Sequence, residues 1–296
     1  MELKTIVLPK RYNYIGVFLT LRCTLGCSYC INHYDALDCR EHQLDAEEWL
    51  HGLNRLTTRD DLPITLQGGE PTLHPDFYTI VNGLRPDLPT DLLTNLQFDV
   101  DEFMTRISPD RFKREAPYAS IRVSFHPERM EIGALKEKVL KLMANGYSVG
   151  IWGVNHPAHV DQVEGACREC RDSGIDFRIK EFLGEYNGRF WGTYSYPGSL
   201  SKKDNAPVQC RTSELLIGPG GNLHRCHSDL YGGRQPYGSL LDPALVVEDI
   251  FRPCDAYGFC NPCDVKTKTN RFQEFGHTSV DIRFSENEGS MEGMPS

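Results

Sequence analysis

Three cysteines occur within the eight residues CTLGCSYC, at Cys23, Cys27 and Cys30. An odd number of thiols at this close spacing does not suit a disulfide framework, so the thiolates are candidate metal ligands. A tetrahedral zinc site or an electron-transfer [4Fe–4S] cluster takes four protein ligands, and three thiolates therefore leave one coordination position open. The alternatives are a zinc knuckle and a coincidental group of cysteines.

A second set of four cysteines lies near the end of the chain. Cys210 and Cys226 flank Gly221 in a C-x10-G-x4-C pattern, and Cys260 and Cys263 form a C-x2-C pair. Four thiolates complete a closed site for zinc or for a [4Fe–4S] cluster. The C-x2-C spacing alone does not distinguish the two metals.

The composition indicates the class of protein that carries these thiols. The chain has 296 residues, 40% of them hydrophobic, which is enough for one large domain or a main domain with a small one. The net charge of −9, without a Lys- or Arg-rich run, argues against a nucleic-acid partner. The sequence shows no export signal and no membrane span, so we expect a cytoplasmic protein whose eleven cysteines are reduced or bind metal.

Short apolar runs alternate with segments of helical spacing over the first 183 residues. We predict strands at 14–20, 63–67, 90–96, 119–125, 147–154 and 175–182, and helices at 44–56, 74–84, 99–107, 131–146 and 159–174. This order predicts an α/β fold with a parallel sheet, in the form of a partial (β/α)6 TIM-type barrel. In such barrels the chemistry lies at the carboxyl ends of the strands.

Local signals mark the ends of three of these helices. Asp45 and Asp161 are placed as N-caps, and Gly146 and Gly174 are placed at the carboxyl ends. The fifth helix also carries Cys167 and Cys170, which we expect on an ordinary surface because charged residues surround them.

The alternating pattern stops near residue 183. We predict a barrel at 1–183, a linker or lid at 184–208, a small metal-stabilised domain at 209–283 and a disordered tail at 284–296. Within the small domain, LLI and NLHRC around PGG predict a β-hairpin.

The three-cysteine loop follows the first predicted strand, and this C-x3-C-x2-C placement resembles the radical S-adenosylmethionine (SAM) superfamily. Tyr29 agrees with the aromatic residue that the family prefers before the third cysteine. The resemblance implies that Cys23, Cys27 and Cys30 hold a [4Fe–4S] cluster whose open iron binds SAM. It also implies that one electron cleaves SAM to a 5′-deoxyadenosyl radical, which removes a hydrogen atom from the substrate.

Further segments match the family. QGGEP, with Gly68, Gly69 and Glu70, resembles the segment that holds the SAM amino group, because glycines permit close approach and a carboxylate can accept from an ammonium. Ser124 in SFHPE corresponds to a serine near the SAM carboxylate and ribose. Many relatives have aspartate where His126 stands, which leaves the role of His126 open.

Asn95, at the end of the third predicted strand, is a candidate contact for ribose or substrate. A turn residue is the alternative for it.

The second cysteine set resembles the twitch domain, a short form of the SPASM domain. The resemblance implies an auxiliary [4Fe–4S] cluster at Cys210, Cys226, Cys260 and Cys263, with zinc as the alternative. Cys254 is a fifth cysteine of this region, in addition to the four implied ligands. It is either a hydrogen donor to a substrate radical, as in some radical SAM epimerases, or an alternate cluster ligand.

Compact twitch enzymes resemble aminocyclitol dehydrogenases and aminoglycoside epimerases of antibiotic pathways. We therefore expect a small polar substrate, such as a sugar or an aminoglycoside-like molecule, and reduction by flavodoxin or ferredoxin. Epimerisation with Cys254 as the donor is the first prediction. Two-electron dehydrogenation of a secondary alcohol and modification of a ribosomally made peptide are the alternatives, and a non-enzymatic electron carrier is the alternative of another class.

Overall fold

The computed structural model describes residues 4–30, 43–59, 62–192, 207–255 and 280–284, and the fold is α/β as predicted. The first eight strands are β1 (Ile6–Val7), β2 (Tyr14–Thr20), β3 (Leu56–Thr57), β4 (Ile64–Gly68), β5 (Thr90–Thr94), β6 (Ile121–Phe125), β7 (Val149–Asn155) and β8 (Phe177–Glu181). The later strands are β9 (Gly184–Tyr186), β10 (Arg189–Trp191), β11 (Val208–Thr212), β12 (Glu214–Ile217), β13 (Asn222–His224), β14 (Gly238–Ser239), β15 (Arg252–Cys254) and β16 (Val280–Phe284).

Six helices accompany these strands within the described ranges. They are α1 (Ala46–Leu53), α2 (Phe77–Gly83), α3 (Val100–Arg106), α4 (Ile132–Ala144), α5 (Val160–Asp172) and α6 (His227–Tyr231). The six predicted strands and the five predicted helices are confirmed, with bounds that differ by a few residues. Short 3-10 turns also form at Pro71–Leu73 and Pro109–Phe112.

The main sheet has nine strands in the order β14-β13-β12-β2-β4-β5-β6-β7-β8. All neighbours from β12 to β8 are parallel, whereas β13 and β14 are antiparallel additions. The carboxyl ends of the six barrel strands therefore meet along one edge, which is where a partial barrel of βα units places its chemistry.

Alternation along the strands separates the two faces of the sheet. Ile15, Val17 and Leu19 of β2 are buried in the main core, which also contains the buried faces of the helices. Phe18 points to the other face and packs with Leu216 in a second apolar cluster. This period of two is the physical signature of a strand whose two faces meet different neighbours.

The structure corrects two local predictions. The N-cap of α5 is His159, and Asp161 lies in the first helical turn, where its negative charge still complements the helix dipole. Cys167 and Cys170 belong to the main core and do not lie on a surface, since their face of α5 packs against the sheet. The Asp45 N-cap is confirmed as a full capping box with Glu48.

The predicted hairpin forms from β12 and β13, with Leu216 opposite His224. It does not remain in a separate sheet, because β12 pairs in parallel with β2 and extends the main sheet. A separate small sheet, in the order β15-β11-β16, contains β11, which precedes this hairpin in the chain, and two strands that follow it. The predicted division at residue 209 stays a prediction. No described helix has the length and apolarity needed to cross a membrane.

The two glycines after β4 allow an unusually close approach between chain segments. Gly69 N–H donates to Thr20 O at 2.9 Å, and Glu70 N–H donates to Arg22 O at 2.7 Å. A Cβ atom on Gly69 would lie 2.2 Å from Arg22 O, and Gly68 has a φ of 153°. The close approach of the Thr20–Arg22 backbone therefore requires glycine at positions 68 and 69.

We expect Gly69→Ala to lower the free energy of unfolding by about 1–3 kcal/mol, because the backbone at Arg22 has to move to admit the methyl group. Urea denaturation of the reduced, metal-free chain measures it. Gly165→Ala is the control, since its Cβ in α5 would meet nothing closer than 4.0 Å. It should stabilise the chain by roughly 0.5–1 kcal/mol. Equal stabilities for the two variants would contradict the close-approach explanation.

Candidate functional site

The three-cysteine loop begins directly after β2, at the edge where the strands end. Cys23, Cys27 and Cys30 are all half-buried free thiols. The loop is turned on itself, since Cys30 N–H donates to Cys27 O at 3.2 Å and Leu25 N–H approaches Cys23 Sγ at 3.4 Å. The sequence predicted this position, and the structure brings neighbouring strand ends against it.

Glu70 joins the ends of two strands beside this loop. Its side chain is buried with only 2% of its surface exposed. The carboxylate accepts from Thr94 Oγ1 at 2.9 Å, from Asn95 N–H at 2.7 Å, and from the hydroxyl and N–H of Thr72 at 2.8 and 3.3 Å. Burial raises the pKa of Glu70 even though these donors oppose the shift. The predicted contact of this carboxylate with an ammonium stays a prediction.

Asn95 makes the contact of a turn residue and also contacts the cysteine loop, while its predicted contact with ribose or substrate stays a prediction. Its Oδ1 accepts from Gln97 N–H at 3.0 Å, which is the bond of a local turn. Its Nδ2 donates to Thr24 Oγ1 at 3.1 Å and lies 3.7 Å from Cys23 Sγ. The end of β5 is thereby connected to the first cysteine of the loop.

The segment His126–Arg129, directly after β6, contacts the other half of the loop. Glu128 accepts from Ser28 N–H at 2.6 Å and from Ser28 Oγ at 2.9 Å. Arg129 donates to Gly26 O from Nε at 3.0 Å and from Nη2 at 2.6 Å.

His126 adds a third contact, because its Nδ1 lies 3.1 Å from the Tyr29 hydroxyl. Ser124, two residues earlier, is half-buried on β6 opposite Trp152.

Tyr29 is the centre of a cluster of rings that sequence reasoning missed. The His156 ring stacks on Tyr29 with centroids 4.9 Å apart, and His159 stands 5.5 Å from His156. Phe182 and Tyr186 meet His156 edge-on at 4.4 and 4.7 Å. A signal was present in the sequence: His-Pro follows the predicted strand at His156 just as it does at His126.

The electrostatics of the loop suit a cationic metal group. Burial, followed by the charges of Cys30, Glu128 and Cys23, raises the pKa of Cys27 to about 12. Burial also raises the pKa of Cys23. The metal-free loop therefore disfavours the thiolates that a metal needs, and a bound cation reverses this balance.

The chemistry of the three thiolates fits an iron–sulfur cluster. In the described part of the chain, no three His, Cys, Asp or Glu side chains are arranged to hold one metal ion. A cubane cluster presents a different iron to each thiolate, so its ligands need not converge on one point. Three soft thiolate donors in one loop fit such a group.

The second cysteine set lies around the small sheet. Cys210 is on β11. Cys254 on β15 pairs with Val208, which lies two residues before Cys210 on β11. Cys254 packs against the buried pair Val208 and Cys210. Cys226 is the N-cap of α6, and its Sγ accepts from Asp229 N–H at 3.4 Å. Cys260 and Cys263 are outside the described residues.

Arg225 stands among these three thiols. Burial alone would lower its pKa, but Asp229 and then Cys254, Cys226 and Cys210 raise the pKa of the guanidinium above its ordinary value. Arg225 Nη1 also donates to Pro253 O at 2.7 Å. A half-buried cation is thus placed near Cys210, Cys226 and Cys254.

Cys210 and Cys254 lie towards the amino end of β2, and the three-cysteine loop follows its carboxyl end. Glu214, at the start of β12, pairs with Tyr14 at the start of β2, and Cys210 precedes Glu214 in the chain. The Cys23 loop follows Thr20 at the other end. A seven-residue strand spans roughly 20 Å, so Cys210 and Cys254 lie far along the strand axis from the three-cysteine loop.

The position of His126 predicts a pH effect on stability. Burial lowers the pKa of His126 to about 4, with Glu128 opposing this shift and Lys180 adding to it. As the pH falls from 6.5 to 4, His126 becomes protonated in the unfolded chain but stays largely neutral in the folded chain. We therefore expect the metal-free chain to lose about 3 kcal/mol through this group over that range.

Urea denaturation of wild type and His126→Gln at several pH values measures this effect. The stability difference between wild type and variant should shrink as the pH falls, because the variant lacks the titrating group. Parallel stability curves would contradict the low pKa. Other histidines with lowered pKa values are common to both proteins and cancel in the comparison.

Comparisons with known proteins agree with this site. Residues 17–185 match the model of the Radical SAM superfamily. The PqqA peptide cyclase of Methylorubrum extorquens is 44% identical over 62 residues, 21% of this chain and 16% of that protein. The GTP 3′,8-cyclase of Nautilia profundicola is 25% identical over 193 residues, 59% of this chain and 57% of that protein. The chain thus spans less than two thirds of the length of these relatives.

A solved structure of anSMEcpe with bound AdoMet has the same fold. It superposes with a TM-score of 0.55 at 14% identity, over 77% of this chain and 78% of that chain. The family match covers more than half of the chain and contains the three-cysteine loop, Glu70, Asn95 and Ser124. The chain belongs to the radical SAM superfamily.

Proposed function

We propose that Cys23, Cys27 and Cys30 hold a [4Fe–4S] cluster, with which the enzyme uses SAM to take a hydrogen atom from a small polar substrate. The observation that carries this proposal is the attachment of the loop to Asn95 on one side and to Glu128 and Arg129 on the other. When bound, the loop cluster supplies the electron that converts SAM to a 5′-deoxyadenosyl radical, and an auxiliary cluster accepts the second electron of an oxidation.

The chain's own residues orient SAM at the carboxyl ends of β4, β5 and β6. Gly68 and Gly69 offer backbone groups to the amino end of SAM, and Glu70 fixes those groups and favours a positive charge beside them. Asn95 and Ser124 provide polar contacts for the ribose and carboxylate. Tyr29, stacked on His156, covers the loop and excludes water from it.

For the second cysteine set we propose an auxiliary [4Fe–4S] cluster with Cys210, Cys226, Cys260 and Cys263 as ligands. The cation of Arg225 supports this assignment, because a cluster with four thiolate ligands carries net negative charge that a nearby, half-buried guanidinium offsets. The position of Cys254 beside Cys210 supports a role at this cluster.

The position of Cys254 also bears on the type of reaction. Epimerisation of a sugar or aminoglycoside-like carbon requires a hydrogen donor in contact with the substrate radical, and Cys254 lies beyond the amino end of β2. Two-electron dehydrogenation of a secondary alcohol needs no such donor. We therefore favour dehydrogenation, with epimerisation as the second proposal. Peptide modification is supported only by the names of relatives such as the PqqA peptide cyclase. Flavodoxin or ferredoxin would supply the electrons.

We expect Cys27→Ala to abolish SAM cleavage and to remove about four irons per chain, the content of one cubane. Anaerobic reconstitution, iron analysis and assay of 5′-deoxyadenosine with dithionite measure both. Cys167→Ala is the matched control, since Cys167 lies on α5 and its thiol is buried in the main core. Wild type without iron, or Cys27→Ala with full iron and activity, would overturn the proposed function.

Cys254→Ala separates the two reactions. With aminocyclitols and aminoglycosides in deuterated water, dehydrogenation gives a product two mass units lighter without deuterium. A variant that loses auxiliary iron identifies Cys254 as a ligand. A deuterium-labelled epimer from wild type, absent from an iron-replete variant, would instead restore Cys254 as the hydrogen donor and epimerisation as the reaction.

A further inference from the structure

Glu128 and Arg129 bind the cysteine loop on both sides of one residue, Cys27. Arg129 binds the carbonyl of Gly26, which precedes Cys27, and Glu128 binds the N–H of Ser28, which follows it. The peptide groups on both sides of Cys27 are thereby fixed.

The Glu128 contact is bidentate. One carboxylate oxygen accepts from Ser28 N–H at 2.6 Å and the other from Ser28 Oγ at 2.9 Å. Hydrogen bonds to an ionised acceptor are shorter and stronger than neutral ones, and two parallel bonds also fix orientation. The Ser28 backbone therefore has one preferred direction relative to β6.

Charge alone does not explain a carboxylate at this position. The negative charge of Glu128 raises the pKa of Cys27 and so opposes the thiolate that iron requires, whereas Arg129 lowers it. The two charges act in opposite directions on the same thiol. What both residues contribute in the same direction is the geometry of the loop.

We propose that Glu128 and Arg129 are positioning residues that hold Cys27 in the conformation that binds iron, so that the loop releases its cluster slowly. Ordering a flexible loop when the cluster binds makes the binding free energy less favourable. A loop that is already ordered avoids this loss. The inference rests on the proposed function of the loop. Both contacts lie at the surface, so the core keeps its packing when they are removed.

The test compares Glu128→Ala and Arg129→Ala with wild type after anaerobic reconstitution. Transfer of iron to a chelator is followed by absorbance, and loop iron is the fraction that Cys27→Ala lacks. We expect both variants to release loop iron roughly tenfold faster, because each loses charge-assisted hydrogen bonds. The electron paramagnetic resonance spectrum of the reduced cluster should broaden in both. Glu131→Ala is the matched control, since Glu131 is exposed and its side chain makes no capping bond.

Glu128→Gln distinguishes geometry from charge. Glutamine keeps one carbonyl oxygen for the Ser28 donors and removes the negative charge, so it should restore slow release in part. Melting temperatures of the metal-free variants should equal that of wild type. Release rates of both alanine variants equal to that of Glu131→Ala would overturn this inference alone. Wild type without loop iron would overturn the proposed function and the inference together.

Discussion

The buried carboxylate of Glu70 is the interaction on which the site depends. A carboxylate with 2% of its surface exposed is costly to bury unless its oxygens accept hydrogen bonds, and here Thr72, Thr94 and Asn95 supply them. Its own N–H donates to Arg22 O at the start of the cysteine loop. One residue therefore fixes three strand ends relative to one another.

The remaining contacts of the loop follow from this arrangement. Once β2, β4 and β5 are fixed, the parallel register brings β6 and its His126–Arg129 segment alongside the same edge. Asn95 holds the Cys23 end of the loop, and Glu128 with Arg129 holds the middle. Separate strands thus share the task of ordering eight residues that have no regular structure of their own.

The placement of the second cysteine set gives the fold two distinct regions of thiol chemistry. Cys210 lies on β11 in the separate small sheet, just before β12, which pairs in parallel with β2 in the main sheet. Cys210 therefore lies before the amino end of β2, whereas the three-cysteine loop follows its carboxyl end.

The sequence by itself determined the strands, the helices and the superfamily, because these follow from local periodicity and from motifs of fixed spacing. It failed where the outcome depended on which face meets which neighbour. Cys167 and Cys170 among charged residues are core, and Asp161 lies in the first turn of its helix and is not the N-cap. Only the tertiary structure decided that Glu128 meets Ser28, 100 residues away, since such pairing depends on the register and twist of strands and not on adjacent residues.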